Sequence, residues 1–342
     1  MKVGVLTGGG DCPGLNAVIR AVVKKLEKTN DLVYGIKNGW AGLISGVVEP
    51  LTNFTVTGIL PKGGTILGTS RTNPFKSQDA LSKLLSNWKR FGLDALIAVG
   101  GEDTLGVARR LVDQHQLAIV GVPKTIDNDL NGTDQTFGFD TAVNIVMEAI
   151  DRLHSTAESH HRVMIVEVMG RDSGWIAAVA GIAGGADFII VPEEPYDLEE
   201  VCKALQRRKA SGKDFSIIVI AEGAKPKGGG EVTQDGSVDE FGHVRLGGIG
   251  TLLARDIEKK IGVETRVTIL GHVQRGGTPT AFDRVLATRY GLAAVDLVRQ
   301  KKWGRMVALA GSKIVDVDLP QVDQEKRYLD MGLHKDAQVF FG

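Results

Sequence analysis

The 342-residue sequence contains only two cysteines, Cys12 and Cys202, too few and too far apart for a disulfide framework, and no CxxC spacing for a metal. Neither charge is in surplus. Its 41 Lys+Arg face 41 Asp+Glu, so the basic excess that a nucleic-acid surface needs is missing. Uninterrupted apolar runs are also missing. The longest candidate, Trp175 to Val191, is broken by Gly181, Gly184, Gly185 and Asp187, and its small residues suit close helix packing better than a membrane span. The opening MKVGVLTGGG runs directly into a strand pattern and a glycine loop, with no apolar segment of signal-peptide length. These absences predict a soluble cytoplasmic protein without nucleic-acid or membrane partners.

Glycine is what the chain has in excess: 44 of 342 residues, about 13% against a usual share of about 7%. No G-X-Y period accompanies it. With 24% charged and 43% hydrophobic residues, neither a fibre nor disorder accounts for the surplus. The glycines are expected at particular backbone positions.

Short β-branched runs recur at KVGVLT (2–7), ALIAVG (95–100), AIVGVP (118–123), RVMIVEVM (162–169), DFIIVP (187–192) and FSIIVIAEG (215–223). Amphipathic stretches of helical length lie between them, at 16–28, 104–115, 141–159 and 198–210. Strands alternating with helices predict parallel sheets covered on both faces. Six such units are too many for one compact sheet, so the expected fold class is α/β, with two doubly wound domains and mainly parallel sheets. No Pro/Ser-rich linker separates halves, which implies that the chain crosses between domains more than once. The expected division is 1–138 plus about 274–305, and 139–273 plus about 306–342. The glycine-rich 225–248 segment reads as an exposed hairpin or loop insertion, and the tail from about Val307 as docking on one domain.

Ligands of an open parallel sheet gather at the carboxyl ends of its strands. After KVGVLT comes GGGDCPGLN (8–16), where glycine N–H groups and a helix N-terminus suit a phosphate. Its spacing is neither GxGxxG nor GxxxxGK[ST]. After ALIAVG comes GEDT (101–104), two adjacent acids that make sense beside a phosphate loop if one serves Mg2+. After AIVGVP comes KTIDND (124–129), where turn chemistry explains the Asn and Asp residues and leaves the lysine without a reason. Arg71 in GGTILGTSRTNPF, Arg171 in MGRDSG, and His272 with Arg275 in LGHVQRGG add cations, and Glu222 ends FSIIVIAEG. Cations, acids and phosphate-type loops together fit phosphoryl transfer between two anionic molecules.

With GGGDCPGLNA, GGTILGTSR, GGEDT, PKTIDND, TFGFDTA, VEVMGRDSGW, AEG and GHVQRGG in that order, nearly the whole chain resembles the phosphofructokinase family. The resemblance implies an active site in the cleft between the domains, the first binding the phosphoryl donor and Mg2+, the second fructose 6-phosphate. It implies that Asp127 is the general base at the sugar 1-hydroxyl, with Thr125 and Asp129 beside it touching substrate or ordering the metal. Met169, Gly170, Arg171, Glu222, His272 and Arg275 would hold the sugar and its 6-phosphate. Arg162 and Arg266 would reach the phosphate from a neighbouring subunit, making the protein a homodimer or homotetramer. Gly10 and Arg71 would contact the donor, and Glu102 would help hold Mg2+.

Two departures bear on the donor. ATP-using members usually have GGDGS where this chain has GGEDT, and a small residue where it has Lys124. Asp103 would fill the space of a nucleotide's α-phosphate and repel it, and Lys124 would supply positive charge at the transferring group. The pair resembles the pyrophosphate-dependent branch, so pyrophosphate is the expected donor and ATP the alternative. A dinucleotide-dependent oxidoreductase and a non-catalytic sugar-phosphate sensor are more remote, since the fingerprint spacing is lacking and a sensor needs no base. His154 and Asn53, near where the allosteric enzymes carry arginines, predict no nucleotide or phosphoenolpyruvate control of the usual kind. Cys12, inside the glycine loop, reads as a small residue that fits or as a thiol activated by the helix N-terminus.

Overall fold

Valine- and isoleucine-rich runs with no polar alternation become buried strands, because a parallel strand is covered on both faces. The computed structural model describes residues 1–230, 232–238, 244–320 and 326–341, with backbone alone for 233–238 and 244–245. The chain divides into two units, each with its own apolar core.

The first unit begins with β1 (Lys2–Thr7), α1 (Leu15–Glu27), β2 (Leu32–Ile36), α2 (Trp40–Ser45) and β3 (Val48–Leu51). It continues with α3 (Gln78–Phe91), β4 (Ala95–Gly100), α4 (Glu102–His115), β5 (Ile119–Thr125) and the two-residue β6 (Phe137–Gly138). Strand β1 lies between β2 and β4, and β4 pairs with β5, all parallel. Strand β3 closes the edge antiparallel to β2. Every residue of β4 is buried, and its core includes Leu6, Trp40, Leu96 and Leu111.

Helix α5 (Phe139–His160) carries the chain into the second unit. There β7 (Val163–Val168), α6 (Trp175–Ala183), β8 (Phe188–Ile190), α7 (Leu198–Ala210) and β9 (Ser216–Ala221) follow. After β10 (Thr233–Val238) and β11 (Val244–Leu246) come α8 (Ile249–Ile261) and β12 (Thr265–Ile269). Four parallel strands order as β12-β7-β9-β8. Strands β10 and β11 pair antiparallel, the expected hairpin of the insertion, whose residues 231 and 239–243 lie outside the described ones. Buried Glu167 in β7 accepts the N–H groups of Gly248 (2.9 Å) and Gly250 (2.8 Å), supplying an acid at the α8 N-terminus.

The chain returns to the first unit with α9 (Ala281–Arg299), β13 (Arg305–Ala310) and β14 (Lys313–Asp318), and ends in the second with α10 (Met331–Gln338). Here the structure departs from the expected division. The first unit comprises Met1–Ile126, Leu130–Thr141 and Arg275–Lys326; the second comprises Asp127–Asp129, Ala142–Gln274 and Arg327–Gly342. Residues 306–326 were expected in the second domain. They stay with the first because β13 pairs parallel with β5, with Arg305 opposite Val120, and β14 covers β13 antiparallel. Met306 and Leu319 sit in the first unit's core. No helix among the described residues is long and apolar enough to cross a membrane. The Trp175–Val191 run is spent on the short helix α6 and the edge strand β8.

Candidate active site

In the first unit the sheet order places β1, β4 and β5 side by side, so the loops leaving their carboxyl ends are neighbours. Loop 8–14 leaves β1 and is tied down from outside. The Gly9 N–H donates to the Ser70 carbonyl (3.0 Å), and Thr69 Oγ1 donates to the Gly9 carbonyl (2.5 Å). Buried Asn16, in the first turn of α1, donates from Nδ2 to the Lys62 carbonyl (3.0 Å) and accepts the Ile66 N–H (2.9 Å). Together these bonds hold the 62–70 segment beside the glycine triplet. Exposed Arg71 follows directly.

Lys124, next to last in β5, is 3% exposed, and its Nζ donates to the Gly10 carbonyl. An ammonium this deeply buried needs acceptors around it, and the glycine loop provides one. A Cβ on Gly9 would stand 3.3 Å from that Nζ. On Gly10 a Cβ would stand 2.5 Å from Arg275 Nη1, which also donates to the Asp11 carbonyl (3.4 Å). Two cations thus meet one loop, and Arg275, expected at the sugar phosphate, belongs to the unit that holds the glycine triplet.

Not every glycine of the cluster serves a ligand. A Cβ on Gly8 would lie 2.5 Å from Thr104 Oγ1, and one on Gly100 would lie 2.3 Å from Thr104 Cβ. Buried Thr104 fills the space that both leave. A Cβ on Gly63 would overlap the Gly277 carbonyl at 2.1 Å, so those two glycine loops are held together by backbone approach.

Glu102 and Asp103 occupy the first turn of α4 after Gly101, which offers no side-chain cap. Acids there complement the helix dipole whatever else they do. Lys326 Nζ lies 3.7 Å from Glu102 Oε2.

Cys12 is fully buried, its Sγ 3.7 Å from the Phe137 carbonyl. Burial pushes its thiol up to about 12, against the opposing pull of Lys124. The helix N-terminus does not activate it. A residue this size is fitted there, since a Cβ on Gly138 would come within 2.7 Å of its Sγ.

Asp283, in the first turn of α9, is a buried group that the sequence did not announce. Its Oδ2 accepts the N–H (2.8 Å) and the hydroxyl of Thr141. Burial raises its pKa to about 6, with the Thr141 bonds opposing. A carboxyl whose folded pKa exceeds its unfolded value of 3.8 adds stability that is complete below pH 3.8 and lost as pH rises through about 6. Between pH 5 and pH 8 the wild type should therefore lose on the order of 1 kcal/mol relative to Asp283→Asn. Melting temperatures of the two proteins across that range measure the difference, and parallel curves would contradict the assignment.

In the second unit, Asp127 and Asp129 flank buried Asn128, whose φ of 54° is left-handed, a conformation that asparagine tolerates better than most residues. Arg327 binds this segment twice: its N–H donates to the Asp129 carbonyl (2.9 Å) and its Nη1 to the Asn128 carbonyl (3.1 Å). At the carboxyl ends of β7 and β9, the Glu222 N–H donates to the Val168 carbonyl (2.8 Å) and the Gly223 N–H to the Gly170 carbonyl (3.0 Å). These bonds bring Met169, Gly170 and Arg171 beside Glu222. Gly170 has φ 138°, open only to glycine without strain. The Met169 N–H donates to Oε1 of fully buried Gln274 (3.2 Å), which joins the GHVQR turn to the same cluster. His272, two residues earlier in that turn, is exposed.

Arg162 and Arg266 stand apart, at the edge strand β12 and the adjacent start of β7. Both pair with Glu264, Arg162 Nη2 at 2.9 Å, and the two arginines hold its carboxyl below its ordinary range.

Sequence reasoning passed over Asn16, Thr69, Gln274 and Arg327. Asn16 and Gln274 lie inside quoted motifs but act on backbone groups far away in sequence, which spacing does not reveal. Arg327 belongs to an EKRYLD tail with no motif at all.

The Phosphofructokinase family model matches residues 2–298. A pyrophosphate--fructose 6-phosphate 1-phosphotransferase of Streptomyces coelicolor is 56% identical over 343 residues, covering 100% of both chains. An ATP-dependent 6-phosphofructokinase of Mycobacterium tuberculosis is 49% identical over 344 residues, again covering 100% of both. Among solved structures, a pyrophosphate-dependent phosphofructokinase from Marinobacter aquaeolei superposes with a TM-score of 0.83 over 99% of this chain and 90% of its own; at 22% identity it shows the shared fold.

Proposed function

The chain belongs to the phosphofructokinase family, and we propose that it transfers a phosphoryl group reversibly from pyrophosphate to the 1-hydroxyl of fructose 6-phosphate, giving fructose 1,6-bisphosphate and phosphate. One observation carries the choice of donor: Lys124 is buried with its ammonium on the Gly10 carbonyl, in a unit where Asp103 stands in the first turn of α4. The lysine brings a full charge to the phosphate loop. The aspartate puts a negative charge where a longer donor would continue. Names of close relatives divide between pyrophosphate and ATP, so identity alone does not select the donor.

In this reading Asp127 takes the proton of the 1-hydroxyl as the oxygen attacks. General-base help of this kind contributes about 10²–10⁴-fold. Thr125 and Asp129 orient the acceptor hydroxyl. Lys124, with Gly10 and Arg71 at the donor, opposes the charge that spreads over the transferring phosphoryl. Met169, Gly170, Arg171, Glu222 and His272 hold the sugar and its phosphate, an arrangement favoured by the bonds that gather the β7 and β9 ends. Arg275 serves whichever phosphate lies nearest Gly10.

The acids fit Mg2+, which takes one or two carboxylates and completes its shell with substrate phosphate oxygens and water. No group of three His, Cys, Asp or Glu among the described residues is arranged to hold a metal by itself. Glu102 would hold the ion, and Lys326 beside it balances the carboxylate otherwise. When bound, Mg2+ neutralises charge on the transferring group and its leaving phosphate.

Arg162 and Arg266, drawn to Glu264 at the β12 edge, suit a role across a subunit contact in a homodimer or homotetramer. A glycolytic role suits a cytoplasmic protein.

Steady-state assays with fructose 6-phosphate and Mg2+ test the donor. Pyrophosphate should exceed ATP in kcat/KM by about tenfold or more; equal or greater efficiency with ATP overturns the assignment.

A further inference from the structure

Arg327 lies 199 residues beyond Asn128, whose carbonyl it binds, and belongs to no motif of the family resemblance. Its position in the second unit is nonetheless specific. Its main-chain N–H binds the Asp129 carbonyl at 2.9 Å, and its guanidinium binds the Asn128 carbonyl at 3.1 Å. The guanidinium lies 4.3 Å from the Trp175 ring centroid, and Trp175 Nε1 donates to the Arg327 carbonyl (3.3 Å). Two residues on, the Leu329 N–H donates to Glu193 Oε1 (2.8 Å), and the same carboxylate accepts the Gly174 N–H (3.0 Å). One short strap thus binds 127–129 on one side and the end of the 170–175 loop, which begins with Gly170 and Arg171, on the other.

We infer that Arg327 is a positioning residue for phosphoryl transfer, fixing the backbone from which Asp127 and Asp129 project and coupling it to the loop of Arg171. The physical argument rests on Asn128. A buried, left-handed residue between two carboxylates sits in a conformation that a free loop seldom keeps. Turning the peptide that follows it would redirect both flanking side chains. Arg327 Nη1 bonds to the carbonyl of that peptide, so the turn costs a charge-assisted hydrogen bond, and the Arg327 N–H ties the carbonyl of the next peptide as well. Stacking on Trp175 holds the guanidinium plane in the direction of the Asn128 carbonyl. A supporting shell of this kind is what keeps a reacting group in register, and a misplacement of about 1 Å costs about 10²-fold in rate.

The inference rests on Asp127 as the base. Arg327→Met keeps an apolar stem over Trp175 but loses the side-chain donor, while the main-chain bond to Asp129 remains. Its kcat should fall about 10–100-fold, with KM for fructose 6-phosphate and for pyrophosphate changing less than about twofold. Arg327→Ala should behave alike. Arg327→Lys, which returns a donor to the Asn128 carbonyl, should recover at least about tenfold of the loss in kcat. Melting temperatures of Met and Lys variants should agree within about 3 °C, so that folded fraction does not account for the split. Wild-type kcat in Arg327→Met, or equal losses in the Met and Lys variants, overturns the inference. Asp127→Ser measured alongside separates it from its premise. Retained turnover there refutes the base, whereas lost turnover there with normal kcat in Arg327→Met refutes only the clamp.

Discussion

Asp127→Ser should reduce turnover by about 10²–10⁴-fold while leaving fructose 6-phosphate binding nearly intact. The serine hydroxyl can still accept a hydrogen bond from the sugar but cannot take a proton from it at neutral pH. Calorimetric titration with fructose 6-phosphate gives the binding, and steady-state rates in either direction give the turnover. Reversibility strengthens the experiment, because the residue that removes the proton forward must return it in reverse, and both directions should lose the same factor. Lost binding with retained turnover would assign Asp127 to substrate grip instead. The half-buried position of Asp127, beside the strapped Asn128, makes collapse of the loop an unattractive explanation for any loss.

Asp103→Gly should raise kcat/KM for ATP by about 10–100-fold, the second large effect. A carboxylate close to a nucleotide's α-phosphate opposes it by both charge and bulk. Removing it from the first turn of α4 leaves Glu102 to satisfy the helix dipole, so the fold should tolerate the change. Efficiency with pyrophosphate serves as the internal control, since a general loss of activity would lower both donors. No gain with ATP would leave exclusion by Asp103 unsupported and shift attention to Lys124. That lysine lies under the glycine loop, its Nζ on the Gly10 carbonyl.

The sequence made the strands of the two sheets' centres legible because both faces of each are buried, and burial writes itself as unbroken Val, Ile and Ala. It was less informative at the edges. KIVDVD of β14 alternates and is half-exposed, and its place beside β13 rather than in the second unit is settled by pairing across nearly 200 residues. The glycine clusters were legible as loops at strand ends. Their reasons were only partly so. Gly10 admits the Arg275 guanidinium, but Gly8 and Gly100 yield to the methyl and hydroxyl of Thr104, and Gly63 to a backbone carbonyl. A Cβ clash depends on what arrives from elsewhere in the chain, which no spacing encodes.

By itself, then, the sequence determined the α/β alternation, the family and the roster of polar groups, since each is written in local order: a strand, its glycine loop, the acids or cations that follow. Tertiary structure alone decided how those groups are held. It buried Cys12 and pushed its thiol pKa up, raised the pKa of Asp283 by desolvation, laid Lys124 against the Gly10 carbonyl and brought Arg327 to the Asn128 carbonyl. Burial, desolvation and hydrogen-bond direction are properties of packed neighbours, and here those neighbours stand more than a hundred residues apart in the chain.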